Sequence, residues 1–317
     1  MSLKETFQKQ GGFKLLKQYW KGGAFFTAVG EFLLLGKGRT ALEILRLSAN
    51  LKIRQKLEKK YLPKLIQFDK EFDNSLSHVQ SNKIWICWFQ GLESAPELVQ
   101  KCVRSVRDNM TDKEIVIITE KNISEYVQFP DYVWKKWKDG KITHTHMTDL
   151  LRLELLIKYG GMWLDATVLC TGKVIPAFYF ESDLFFYQTL KPGRDGQSTY
   201  ISSWLISAKT NNKVLMATRY LCFEYWKVND DLVDYFLLHD FISIVLDFYQ
   251  EEWNAVIPLD NAMPHILLLR LFEQYDARLW NVITKQSPFH KLSYKVSEQQ
   301  TQQKNTFYQY IMNTFVL

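Results

Sequence analysis

The stretch from Thr143 to Thr167 constrains this chain most. Met147, Leu150, Leu151, Leu153, Leu155, Leu156 and Ile157 give Thr143–Tyr159 an apolar helical face, and Gly160-Gly161 ends it as a glycine C-cap does. Met162-Trp163-Leu164 then reads as a short strand that ends on Asp165. Asp149 and Arg152 lie three apart and share one face of the helix. That face is expected to point toward the end of the following strand, so two carboxylates and a guanidinium converge on one spot. An apolar strand that terminates in an aspartate is costly to build unless the carboxylate has something to bind. Two readings follow: a buried Asp–Arg pair that joins helix to sheet, or a polar ligand site.

The flanking segments suggest the sheet. Ile84-Trp85-Ile86-Cys87-Trp88-Phe89 is a short apolar run followed by Gln90-Gly91, Pro96–Asp108 has a helical pattern, and Ile115–Thr119 is a second buried run with Asn122 just beyond it. Strand, helix, strand predicts a parallel α/β sheet, in which ligands lie beyond the carboxyl ends of the strands. The loops at Gln90 and Asn122 are therefore placed at a candidate nucleotide site. Further strands are expected around Leu184–Tyr187 and Tyr200–Ile206, separated by a Gly/Pro-rich loop at Lys191–Gly196, with aromatic-rich helix over residues 213–250. The expected organisation is a helical basic segment over 1–75, an α/β domain over 76–300 and an apolar tail over 301–317.

Composition matters mainly through charge. Residues 1–70 carry a net charge of +10 and the remainder −4. Cationic amphipathic helices around Leu15–Lys21 and Thr40–Lys60 are either the solvated face of a helical layer or a patch for acidic lipid, where each Lys or Arg adds about 1 kcal/mol. The apolar stretch Ala24–Leu35 is interrupted by Gly30 and Glu31 and is too short to span a bilayer. Cys87, Cys102, Cys170 and Cys222 show no C-x-x-C spacing, which argues against a zinc knuckle or disulfide framework and for a reducing compartment. Aromatics reach 15%, as core or as rings that stack on bases, sugars or headgroups. No glycine-spaced aromatic motif, zinc finger or helix-turn-helix accompanies the basic arm, so no nucleic-acid partner is expected.

Sugar transfer from a nucleoside diphosphate needs a cation for the leaving diphosphate, carboxylates and Arg for the donor hydroxyls, and a pocket for the base. Asp-Leu-Leu-Arg at 149–152 and Tyr-Gly-Gly-Met-Trp-Leu-Asp-Ala-Thr at 159–167 resemble the donor-site signature of the capsular polysaccharide synthesis glycosyltransferases. That family is related to yeast-type initiating mannosyltransferases and clostridial glucosylating toxins. Ile84–Gly91 is similar to its opening strand, and Asp234–His239 and Lys291–Lys295 to its later blocks. The resemblance covers residues 83–296. It implies a GT-A fold: a nucleotide-sugar-binding mixed sheet flanked by helices, here with the helical basic N-terminal appendage. It also implies anomeric retention, a UDP-sugar donor and Mn2+ or Mg2+. Carried over by matching position, Trp85 stacks near uracil, Asn122 contacts the nucleoside, Trp163 lines its pocket, Thr148, Asp149 and Arg152 hold the donor, and Asp165 is the first acid of an Asp-x-Asp motif.

One departure stands out, because the second acid is replaced by Thr167, a neutral and weaker ligand for a hard cation. His239 is the leading candidate to complete the metal set with Asp165 and Thr167, followed by Asp240 and His290. Lys291 and Lys295 are candidates to bridge the diphosphate and replace the missing charge. The resemblance also implies a polyprenyl-diphosphate-linked sugar as acceptor and an anionic inner-leaflet surface as partner, on the cytoplasmic side. The Phe307–Leu317 tail is expected either to dip into the interface or to pack on its own domain or on a second copy in a homodimer. A degenerate metal site leaves a non-catalytic membrane scaffold as the rival reading.

Overall fold

The computed structural model describes residues 12–190 and 198–315. The Lys191–Gly196 loop and the tail residues Val316 and Leu317 lie outside them. Three helices open the described chain: α1 (Gly12–Gly22), α2 (Phe25–Leu35) and α3 (Arg39–Glu71). A five-stranded sheet follows, built from β1 (Lys83–Cys87), β2 (Glu114–Ile118), β3 (Gly161–Leu164), β5 (Leu184–Gln188) and β6 (Ile201–Ala208), in the order β2-β1-β3-β6-β5. The strands β4 (Val168–Cys170) and β7 (Phe289–Lys291) form an antiparallel ribbon beside it. The larger helices around the sheet are α4 (Glu97–Asn109), α5 (His144–Tyr159), α6 (Lys213–Val228) and α7 (Leu237–Phe248); α8 (Phe307–Thr314) lies near the C-terminus.

β1 pairs in parallel with both β2 and β3, while β6 runs antiparallel to β3 and β5. The carboxyl ends Cys87, Ile118 and Leu164 therefore share one edge, which brings the Gln90, Asn122 and Asp165 loops to the same side. Side chains alternate across the pleat. Trp85, Cys87 and Trp163 join one apolar cluster with α3, α5, α6 and α7, whereas Ile84, Ile86, Met162 and Leu164 join a second cluster with α4. This mixed α/β sheet flanked by helices agrees with the expected fold class.

The helix at the centre begins where the sequence places it: Thr143 caps α5, its hydroxyl accepting from the His146 amide at 3.2 Å. Every residue from Asp149 to Ile157 is buried, Arg152 and Glu154 included, so its weak amphipathicity reflects enclosure and not exposure. Gly161 is in the left-handed region (φ 95°), and a Cβ there would run into the Lys83 carbonyl. Only glycine lets β3 lie this close to β1.

The N-terminal segment is less separate than its charge suggests. Ala49, Ile53, Leu57, Tyr61 and Leu65 of α3 are buried in the same cluster as α5 and α7. Buried Arg54 is ion-paired to Asp247 and donates to the Ser198 carbonyl at 2.8 Å and the Tyr200 hydroxyl at 3.0 Å. The tail packs as well: Phe307 and Ile311 are fully buried with Leu98, Cys102, Leu169, Leu271, Ile283 and Leu292. Its described part thus takes the packing alternative, on its own domain. All four cysteines are free and buried.

His290 on β7 is fully buried, its Nε2 2.9 Å from the Thr171 hydroxyl and its Nδ1 unpartnered. Burial pushes its pKa down to about 4. The unfolded chain therefore takes up this proton before the native one does, and stability falls as pH drops from the ordinary histidine value toward 4. Up to about 3 kcal/mol is expected to be lost across that window. Urea unfolding as a function of pH checks this: His290→Gln should flatten the acid slope relative to wild type.

Candidate active site

The three residues singled out by spacing do meet. Arg152, buried in the middle of α5, contacts Asp149 Oδ1 at 3.1 Å and Asp165 Oδ1 at 3.6 Å through Nη2, and donates from Nη1 to the Ser203 carbonyl of β6 at 2.5 Å. Its guanidinium lies 4.9 Å from the centre of the Trp163 ring, and Trp163 Nε1 donates to Asp165 Oδ1 at 3.0 Å. One cation thus ties the helix to β3 and β6. Asp149 is buried, and its second oxygen is 3.2 Å from His146 Nδ1. Both Asp149 oxygens are engaged inside the protein, which makes it a positioning group for Arg152 and not an open contact for a sugar.

Asp165 is the accessible acid, with a side chain 28% exposed. Burial pushes its carboxyl pKa up, but Lys291 and Arg152 beside it, with hydrogen bonds from Lys291 and Trp163, outweigh this and hold it below the usual carboxylate range. Lys291 Nζ sits 2.9 Å from Asp165 Oδ2 and donates to Thr167 Oγ1 at 2.5 Å. β7 makes this possible by pairing with β4, with Lys291 opposite Val168.

The expected metal set does not assemble. Among the described residues, no three His, Cys, Asp or Glu side chains gather to hold an ion. The point shared by Asp165 and Thr167, where the cation was expected, is taken by the Lys291 ammonium. One carboxylate and one hydroxyl, both bonded to that ammonium, do not fit a divalent ion as a resident ligand set. His239 lies close enough to Asp149, Arg152 and Asp165 to feel their charges, but burial, the largest influence, lowers its pKa to about 4 and its Nδ1 is unpartnered. Asp240 points elsewhere, buried with neither oxygen hydrogen-bonded and its pKa raised well above the carboxylate range by burial.

Trp85 does not reach the cleft. It is fully buried, donates from Nε1 to the Gly160 carbonyl at 2.9 Å and packs against Tyr126 and Tyr159, leaving no face for a base. Asn122 closes its own turn: Oδ1 accepts from the Thr119 amide at 2.8 Å and Nδ2 donates to the Ile117 carbonyl at 3.0 Å. Thr148 donates to the Thr145 carbonyl at 2.6 Å. Gln90 and Lys295 are exposed, Gln90 at the carboxyl edge and Lys295 four residues past Lys291. His146 and the Ser203 carbonyl were missed in the sequence. The His-x-x-Asp spacing within Thr143–Asp149 was a legible signal for His146, whereas a backbone acceptor has no sequence signature.

With this geometry in view, the chain belongs to the capsular polysaccharide synthesis protein family, whose pattern matches residues 39–311. That match includes all of α3. The glycosyltransferase afumC of Aspergillus fumigatus is 29% identical over 98 residues, 28% of this chain and 25% of that protein. The O-glycosyltransferase braB of Annulohypoxylon truncatum is 34% identical over 98 residues, 28% of this chain and 23% of that protein. The chain thus matches about a quarter of the length of these relatives. The solved PaToxG glycosyltransferase aligns over 82% of this chain and 95% of its own at 14% identity and a TM-score of 0.40.

Breaking the buried pair differs from removing the accessible acid. Arg152→Ala leaves the buried Asp149 charge without its main partner and is expected to cost about 3–5 kcal/mol. Asp165→Asn keeps the shape and the Trp163 hydrogen bond but removes a partly exposed charge from beside Arg152 and Lys291, and is expected to cost less, about 1–2 kcal/mol. Denaturant unfolding of both variants separates the two outcomes.

Proposed function

We propose that this chain is a retaining hexosyltransferase of capsular polysaccharide assembly. It moves a sugar, galactose by preference, from a UDP-sugar to a saccharide carried on a polyprenyl diphosphate at the cytoplasmic face of the membrane. The observation that carries the reading is the half-open Asp165 held between Arg152 and Lys291 at the carboxyl edge of parallel strands. Asp165 accepts hydrogen bonds from donor sugar hydroxyls, while Arg152 and Trp163, both buried behind it, fix its orientation. Lys291, with exposed Lys295 beyond it, meets the diphosphate and supplies the charge otherwise expected of Mn2+ or Mg2+.

In this reading the bond from C1 to the β-phosphate oxygen breaks on the same sugar face on which the acceptor oxygen bonds. The acceptor proton passes to the departing phosphate oxygen, and Lys291 neutralises the charge left on UDP. The test is UDP release from a panel of UDP-sugars, with and without a chelator and an alkyl-diphosphate-linked monosaccharide. Release from one sugar nucleotide that survives chelation is expected, and Lys291→Ala should lower kcat/KM by about 10²–10³. No release from any donor would leave the scaffold reading.

The lipid-linked acceptor is supported by the outer face of α2. Phe26, Leu33 and Leu34 are 76%, 76% and 84% exposed there, with Lys21 before the helix and Lys37 and Arg39 after it. Among the described residues no helix is long and apolar enough to cross a membrane, so α2 would lie in the interface. Phe26→Glu/Leu33→Glu/Leu34→Glu is expected to lower binding to phosphatidylglycerol vesicles at least about ten-fold, read by co-sedimentation. Point changes are the proper test because removing α3 would open the core.

A further inference from the structure

A cavity of about 480 Å³ lies between the N-terminal helices and the transferase body, within the range of small-ligand pockets. Tyr19 of α1 and Arg46 and Asn50 of α3 form one wall; Ser202 of β6 and Tyr235 and His239 of the loop and helix leading through α7 form the other. Two polar atoms of this lining, Asn50 Oδ1 and His239 Nδ1, are buried without a hydrogen-bond partner. Such atoms are expensive to leave unsatisfied. Nearby, Asn50 Nδ2 donates to Asp234 Oδ2 at 3.2 Å, which fixes the amide so that its oxygen is the free end.

The cavity is not remote from the acid cluster. Tyr235 and His239 both feel the charges of Asp149, Arg152 and Asp165, and Ser202 is the neighbour of Ser203, whose carbonyl holds Arg152. The far side is lined by α1 and α3, and α2 joins α3 there through Ser48, whose hydroxyl donates to Glu31 at 3.3 Å. A second cavity, of about 460 Å³, lined by Asn82, Lys113 and Lys173, sits at the opposite edge of the sheet, by the starts of β1 and β2.

We propose that the cavity between α1, α3 and α7 is the acceptor subsite, taking the saccharide end of a lipid-linked acceptor whose carrier leaves over α2. This rests on the transferase reading above and deepens it: the N-terminal helices complete the site as well as addressing it to lipid. The unpartnered Asn50 Oδ1 accepts from a sugar hydroxyl. His239, on the lining with Nδ1 unpartnered, offers that nitrogen to another hydroxyl as donor or acceptor. Arg46 at the rim, which donates to Glu43 of the same wall at 3.1 Å, pairs with the carrier phosphate in exchange for that exposed contact, and Tyr19 provides the apolar floor a pyranose ring lies on.

The experiment measures steady-state kinetics with the donor found active in the UDP-sugar panel and undecyl-diphosphate-linked glucose as acceptor probe, with free glucose as comparison. Asn50→Ala and Arg46→Ala are each expected to raise the acceptor KM roughly ten-fold while the donor KM and the UDP Kd by calorimetry move less than about two-fold. Free glucose should be a poorer acceptor than the lipid-linked probe in wild type and should not respond to Arg46→Ala. Lys113→Ala, in the opposite cavity, should leave every constant in place. An unchanged acceptor KM in both variants, a donor KM that shifts equally, or UDP release without transfer to the probe overturns the acceptor site while sparing the transferase reading. Absence of UDP release from wild type with every donor overturns the transferase reading itself.

Discussion

Everything at the carboxyl edge of this sheet depends on where one guanidinium is buried. Arg152 reaches from α5 to Asp149 on its own helix, to Asp165 at the end of β3 and to the Ser203 carbonyl on β6. A buried charge is tolerated only when it is compensated in good geometry, and here three separate elements supply the compensation. Helix and strands are thereby held in one register. Asp149 completes this by anchoring the arginine, and His146 anchors Asp149 in turn. The outward result is that Asp165 stands ionised and partly open.

The second cation gives the site its chemical character. Lys291 comes from a separate antiparallel ribbon and lands between Asp165 and Thr167. Where an Asp-x-Asp pattern would present two carboxylates to a divalent ion, this chain presents one carboxylate and one hydroxyl to an ammonium. The Thr167 departure and the Lys291 position are therefore one feature seen from two places in the sequence. A threonine hydroxyl accepts a hydrogen bond from Lys without adding a second negative charge that a single ammonium would not neutralise.

The helical N-terminal layer combines two roles that charge counting separates. Its inner face is core: Ile53, Leu57, Tyr61 and Leu65 pack with the helices that back the sheet. Its outer face keeps Phe26, Leu33 and Leu34 in solvent. Between this layer and the body lies the cavity lined by α1, α3, β6 and the start of α7. In the proposed reading, a membrane-resident acceptor meets a water-soluble donor at that boundary.

Short-range pattern alone determined the α5–Gly160-Gly161–β3 unit, the strands at Ile84 and Ile115, and the face shared by Asp149 and Arg152. These follow from helical spacing, glycine conformations and apolar runs, all fixed by neighbours in the chain. Tertiary structure alone decided which side chains remain available. Trp85 and Asn122 read as ligand groups by position, yet one is sealed behind Tyr126 and Tyr159 and the other closes its own turn. The contact between Thr167 and Lys291 across a sequence separation of 124, and the descent of α3 into the common core, are likewise invisible locally. Availability depends on what the rest of the chain folds back to cover, and such long-range contacts leave no periodicity in the sequence to read.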